Sequence, residues 1–174
     1  MTISAAIITG GVILTAIITL PFALPASKTG ERSAIINADR ETLYAMIASP
    51  KAYQKFNPYR DTDPNLKIEY MEIESGIGAG FSFKGKEGQG TQTVTALEEN
   101  KKVTMLIDLG SLGKPVQTFT LTPTENGTQI VWSTKSEFGM NPIGRVFGLF
   151  LEKMLGETYE RGLKNMEKAV TSAA

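Results

Sequence analysis

The chain has 174 residues, 41% of them hydrophobic, with 18 basic and 18 acidic side chains and neither histidine nor cysteine. That length supports one domain with an appendage and a substantial core, and the balanced charge, with no basic run, excludes the electrostatic footprint of a nucleic-acid binder. Without imidazole or thiol, any chemistry falls to carboxylates, Lys, Tyr, Ser or Thr, and neither a metal nor a cofactor is expected.

Ala5 to Leu24 carries no charge and is long enough to cross a hydrocarbon layer about 30 Å thick. Residues 1–26 therefore read as a single-pass membrane anchor. A cleaved signal peptide is the alternative, with Leu24-Pro25-Ala26 as an acceptable processing site. Lys28 and Arg32 follow the run and nothing basic precedes it, which by the positive-inside tendency places the domain in the cytoplasm. Residues 27–32 read as a polar linker to a domain over 33–171.

Ser33 to Asn37 has strand character, and Asp39 is placed to cap a helix over Arg40 to Ala48 whose buried stripe is Leu43, Met46 and Ile47. Pro50 opens a second short helical turn with Tyr53 and Phe56, and Asn57 to Pro64 is a polar, proline-bounded loop. From there the period becomes two. Leu66–Ile73, Gly80–Lys84, Thr91–Glu98, Lys102–Leu109, Val116–Thr122 and Gln129–Lys135 are strands joined by turn-forming residues, an antiparallel meander. Its apolar face is marked by Val103, Met105, Ile107, Leu109, Phe119 and Leu121, and the other face presents Thr, Gln and Lys.

Asn141 and Pro142 then open a long helix to Val170, about 45 Å at 1.5 Å per residue. Ile143, Phe147, Phe150, Leu151 and Met154 share one face, and Leu155, Tyr159, Leu163, Met166 and Val170 a rotated one. Gly144, Gly148, Gly156 and Gly162 interrupt it, each at a cost of roughly 1 kcal/mol against Ala, so either another backbone comes close or space is left open. The fold class is α+β: a curved seven-stranded antiparallel sheet around one long C-terminal helix, two short helices after the first strand, and a cavity between sheet and helix.

Several stretches carry a family resemblance: Ser33-Ala34-Ile35-Ile36-Asn37-Ala38, the Phe56-Asn57-Pro58-Tyr59 turn, Gly76 to Phe83, Gly127 to Ser133, and Asn141-Pro142-Ile143-Gly144-Arg145. Together they resemble the START-like superfamily, in particular the bacterial polyketide cyclase/dehydrase and lipid-transport (SRPBCC) group with the Bet v 1-type helix-grip fold. The resemblance spans about Ser33 to Val170. Members often carry tryptophan in the proline turn where this chain has Phe56 and Tyr59, and often a single amino-terminal membrane span. It implies a fold and a hydrophobic ligand or lipid as partner, and no catalytic motif.

Gly76-Ile77-Gly78-Ala79-Gly80 precedes a strand where a phosphate loop would open a helix, so it reads as a turn. Asn126-Gly127-Thr128 fits both a glycosylation sequon and a hairpin turn, and the turn is preferred. Candidate ligand-binding residues are Phe56, Tyr70, Phe81, Phe83, Met105, Ile107, Phe119, Trp132, Phe147, Gly148, Phe150 and Met154. Tyr70 and Glu72, on one side of one strand, are the acid–base candidates, with Arg60 or Asp61 near the mouth. Three functions follow as expectations: membrane-tethered binding or transport of a hydrophobic small molecule or lipid, a cyclase or dehydratase using Tyr70 and Glu72, or a non-catalytic structural or regulatory domain at the membrane.

Overall fold

The computed structural model describes residues 20–172. In chain order it holds β1 (Ser27–Ile36), α1 (Arg40–Ala48), α2 (Pro50–Tyr53), α3 (Tyr59–Thr62), β2 (Lys67–Tyr70), β3 (Gly80–Gly85), β4 (Gly88–Glu98), β5 (Lys102–Asp108), β6 (Val116–Thr124), β7 (Gly127–Glu137) and α4 (Pro142–Thr171). One 7-stranded antiparallel sheet runs in the order β1-β7-β6-β5-β4-β3-β2. Strands β2 to β7 are thus a continuous meander, and β1 closes the far side beside β7.

The expected membrane span lies outside the described residues except for its last few, and Leu20–Ala23 forms a 3-10 turn. Among the described residues no helix is long and apolar enough to cross a membrane. The stretch read as a linker, 27–32, is the first half of β1, paired with β7 from Ser27↔Glu137 to Ile36↔Thr128. Its polar composition reflects an edge strand with a solvated outer face. At Gly30 the inner face meets α4 so closely that a Cβ would lie 3.2 Å from Leu155 Cδ1.

The caps form as their residue types dictate. Asp39 Oδ1 accepts the Thr42 N–H at 2.6 Å, and Asn141 Oδ1 accepts those of Ile143 at 3.0 Å and Gly144 at 3.1 Å. Between β4 and β5 the register slips from Val94↔Met105 to Ala96↔Thr104, a bulge that bends the strand. The turn before β3 has Gly76 at φ 91° and Gly78 at φ 88°, and the β6–β7 hairpin closes through Thr124↔Gly127 with Gly127 at φ 122°.

The core fills one end of the space between sheet and helix. Phe56, Phe119 and Trp132 are fully buried there; Phe119 and Trp132 approach to 4.6 Å between centroids, and Trp132 stacks on Tyr159 at 4.5 Å and 12°. The second half of α4 completes it with Tyr159, Leu163, Met166 and Val170.

Candidate functional site

Away from that aromatic core, sheet and helix diverge and leave a cavity of about 630 Å³, within the range of small-molecule sites. Its walls are built from β3–β7 of the sheet, the α2–α3 segment and the first half of α4. The apolar lining includes Phe81, Phe83, Ile107, Leu109, Leu151 and Leu155. At the mouth stand Leu112 and Ile143, which line the cavity and are 83% and 80% exposed, with Phe147 and Met154 beside them.

Of the expected ligand-binding residues, Phe81, Phe83, Ile107, Phe147 and Met154 line this cavity. Phe56, Met105, Phe119 and Trp132 do not: they are buried in the packed core. For Met105, Phe119 and Trp132 strand alternation gives the inner face but does not say where along the strand the helix stops covering the sheet. Phe150 points to solvent. Gly148 is packed against Phe138, with Phe138 Cε2 only 2.5 Å from where a Cβ would sit; the glycine admits an aromatic ring rather than leaving space open. Tyr70 ends the short edge strand β2, Glu72 lies beyond it, and both are exposed and outside the cavity. A ligand held here does not meet the Tyr70–Glu72 pair. Arg60 and Asp61 are also absent from the lining, and Asp61 accepts a hydrogen bond from Asn165.

The floor carries Gln and Thr side chains, residue types expected on the outer face of the sheet. Gln92 of β4, Gln117 of β6 and Thr134 of β7 line the cavity and are buried, as are Tyr53 of α2 and Tyr159 of α4. Register lays them across the sheet, since Gln117 pairs with Thr134 on one side and Met105 on the other, and Gln92 lies between Phe81 and Ile107. Gln92 Nε2 donates to Gln117 Oε1 at 3.0 Å and to Met105 Sδ at 2.9 Å. The Tyr53 hydroxyl donates to the same Gln117 oxygen at 3.4 Å, and the Tyr159 hydroxyl to Thr134 Oγ1 at 2.5 Å. Burial pushes both phenols far above their ordinary range, and the neighbouring amides and Thr134 hydroxyl offset only part of it. At neutral pH this floor is therefore uncharged.

Asp63, Lys114 and Glu137 on the lining have other partners. Asp63 accepts the backbone N–H groups of Asn65 at 3.0 Å and Lys86 at 2.6 Å. Lys114 pairs with Asp108 at 2.7 Å, and Glu137 with Lys135 at 2.6 Å. Glu87 is exposed. No cluster of side chains able to hold a metal ion occurs among the described residues.

This geometry, a sheet wrapped on one helix over a cavity, can be compared with known proteins. A family model described as "Polyketide cyclase / dehydrase and lipid transport" matches residues 28–171. The chain belongs to the polyketide cyclase/dehydrase and lipid transport family. Its match takes in all seven strands and α4, so β1 from Lys28 onward is part of the family domain. No curated protein matches the chain at the sequence level. Among solved structures, a protein from Chromobacterium violaceum aligns with TM-score 0.60 and 14% identity, covering 82% of this chain and 96% of that one. Norcoclaurine synthase from Thalictrum flavum, solved in complex with dopamine and hydroxybenzaldehyde, aligns with TM-score 0.63 and 15% identity over 85% of this chain and 88% of its own. The di-domain ARO/CYC StfQ from the steffimycin biosynthetic pathway aligns with TM-score 0.61 and 12% identity, covering 82% of this chain and 50% of that one. At these identities the likeness is one of fold, the helix-grip architecture of the START-like and Bet v 1 proteins.

Proposed function

We propose that this member of the polyketide cyclase/dehydrase and lipid transport family binds a hydrophobic small molecule or lipid in the cavity beneath α4, without covalent chemistry. The observation that carries the reading is the cavity itself: about 630 Å³, walled by aromatic and aliphatic side chains, with a small uncharged polar cluster at its floor. Burial of a ligand's apolar surface drives such binding at roughly 25 cal/mol per Å², and a few polar groups fix its orientation. A solved relative in fold holding two small aromatic molecules supports the reading.

The tether belongs to the same proposal. The apolar run Ala5 to Leu24 anchors the domain to a membrane, and the last residues of that run rest on α4. There Arg145 Nη1 donates to the carbonyls of Phe22 at 2.5 Å and Leu24 at 3.0 Å, with its guanidinium over the Phe22 ring. The exposed apolar mouth of the cavity would then face the bilayer, a short path for a lipid-like ligand. The positive-inside tendency of Lys28 and Arg32, which pair in the fold with Glu152 and Glu160, supports a domain on the cytoplasmic side.

A cavity-filling substitution tests the binding reading. Ile107→Trp puts an indole into the lining of β5 and is expected to lower uptake of an apolar ligand at least about tenfold while circular dichroism stays unchanged. Unchanged uptake by a folded variant would move the ligand out of this cavity.

A further inference from the structure

The floor of the cavity holds more polar groups than its own packing requires. Gln92 and Gln117 each own an amide with a donor end and an acceptor end, and the protein leaves part of each unused. Gln117 Oε1 accepts from Gln92 Nε2 and from the Tyr53 hydroxyl, and Gln92 Nε2 also reaches Met105 Sδ. Of the remaining ends, Gln92 Oε1 makes no hydrogen bond among the described residues, and Gln117 Nε2, with one N–H turned to the Tyr159 hydroxyl, keeps its other N–H unused. They are not sealed off either, because the Trp132 indole nitrogen is the sole buried side-chain polar atom without a partner among the described residues. Both residues are nearly inaccessible from outside, 7% and 3% exposed, and both line the cavity. A free acceptor and a free donor on two touching amides thus open into a chamber whose walls are mainly apolar.

From this we infer that the floor is a head-group subsite selective for an uncharged group that both donates and accepts, a hydroxyl or a primary amide, at the end of an apolar ligand. The inference rests on the cavity-binding reading and narrows its ligand class. A hydroxyl between the two amides accepts from Gln117 Nε2 and donates to Gln92 Oε1, which completes two groups that burial otherwise leaves short of partners. A carboxylate meets one favourable donor but also the Gln92 oxygen, and finds no cation. Lys114, the one basic residue in the lining, is at the mouth and pairs with Asp108. An ammonium is no better served, since Asp63 already accepts two backbone N–H groups, Glu137 is paired with Lys135 and Glu87 is held in solvent. Burying either charge without a partner is costly. A plain hydrocarbon fits the walls but leaves the free acceptor and the free donor unpaired.

Competition among ligands that share one chain and differ in the head decides the matter. The full-length protein in detergent is offered an equimolar mixture of palmityl alcohol, palmitamide, palmitic acid, palmitylamine and hexadecane at neutral pH, and bound species are counted by native mass spectrometry. The alcohol and the amide are expected to exceed the acid, the amine and the alkane by about tenfold or more, since each unpaired buried group costs on the order of a tenfold loss. In Gln117→Leu, and separately in Gln92→Leu, that preference is expected to vanish while hexadecane still binds. Hexadecane uptake reports that the chamber remains folded and open. Preference for the acid or the amine, or a preference for the alcohol that survives both variants, overturns the inference. Equal binding of all five overturns it while leaving the cavity reading intact, and binding of none overturns both.

Discussion

Gln92, Gln117 and Thr134 show how a site can be present in a sequence and still be read as surface. Each is in phase with the buried residues of its own strand: Gln92 with Val94, Gln117 with Phe119 and Leu121, Thr134 with Trp132 and Ile130. The period-two signal was legible there, and the polar residues occupy inward positions at the ends of three apolar stripes. Assigning Gln and Thr to the solvent face by residue type, rather than by phase, hides them. The glycines of α4 are a second residue-scale case. At Gly162 a Cβ would lie 2.9 Å from Trp132 Cη2 and closer still to Cζ3, and that indole is pinned by its stack on Tyr159. Gly162→Ala gains up to about 1 kcal/mol in helix propensity but overpacks a rigid ring, at about 1–3 kcal/mol. The variant is expected to be less stable in urea, with altered emission from Trp132, the protein's single tryptophan. A stability equal to or above the parent's would mean that the ring yields.

Helix α4 consists of two different halves. From Leu155 onward its buried positions meet the aromatic core, and this half was readable from the spacing of Tyr159, Leu163, Met166 and Val170. The first half shows apolar residues on nearly every side, and spacing alone does not say which of them find a partner. In the structure Leu151 faces inward, Phe147 and Met154 border the cavity, and Val146, Leu149 and Phe150 are exposed. Arg145 is the lone charged residue between Phe138 and Leu151, and on the membrane-tethered reading proposed above this exposed apolar face rests against lipid. The absence of native cysteine makes a direct test simple. Leu149→Cys and Phe150→Cys, labelled with an environment-sensitive dye in full-length protein reconstituted into vesicles, are expected to emit to the blue of a label at Lys101→Cys on the β4–β5 turn. Emission as red as that of the control would place the helix away from the lipid. A blue shift that persists in detergent, with crosslinking between labelled chains, would assign the face to a second copy instead.

At the scale of the whole molecule, fold class and element order were legible because the period changes of the chain match its layers: a capped helix pair, a six-strand meander and one long helix. The position of the cavity was not. It depends on where α4 diverges from the sheet, and along that half of the helix Phe138 packs against Gly144 and Gly148 and Arg32 against Gly156. Those contacts join residues far apart in sequence. The strand read as a linker failed for a related reason, since pairing of β1 with β7 is a property of the sheet and not of residues 27–32.

The neutral floor also makes a prediction for stability. The Tyr53 and Tyr159 phenols have folded pKa values raised by burial above the ordinary 10.0. Below about pH 10 both folded and unfolded chains keep these protons and the full stability is present. Above it the unfolded chain releases protons that the native protein retains, so stability falls as pH rises. The urea midpoint is expected to be lower at about pH 11 than at about pH 8, and more so than in Tyr53→Phe, which has one such proton fewer. Equal midpoints at the two values would mean that the two phenols are not sealed in the native state.

The central claim, that the space beneath α4 holds a hydrophobic ligand, is tested most directly by mass spectrometry on the intact protein. Full-length protein is stripped of lipid and titrated with fatty alcohols, isoprenoids and phospholipids, and complexes are counted in the native state. The account predicts saturable binding of one molecule per chain for at least one of these classes, suppressed by Ile107→Trp. No saturable complex with any of them, from protein whose circular dichroism shows it folded, would contradict it.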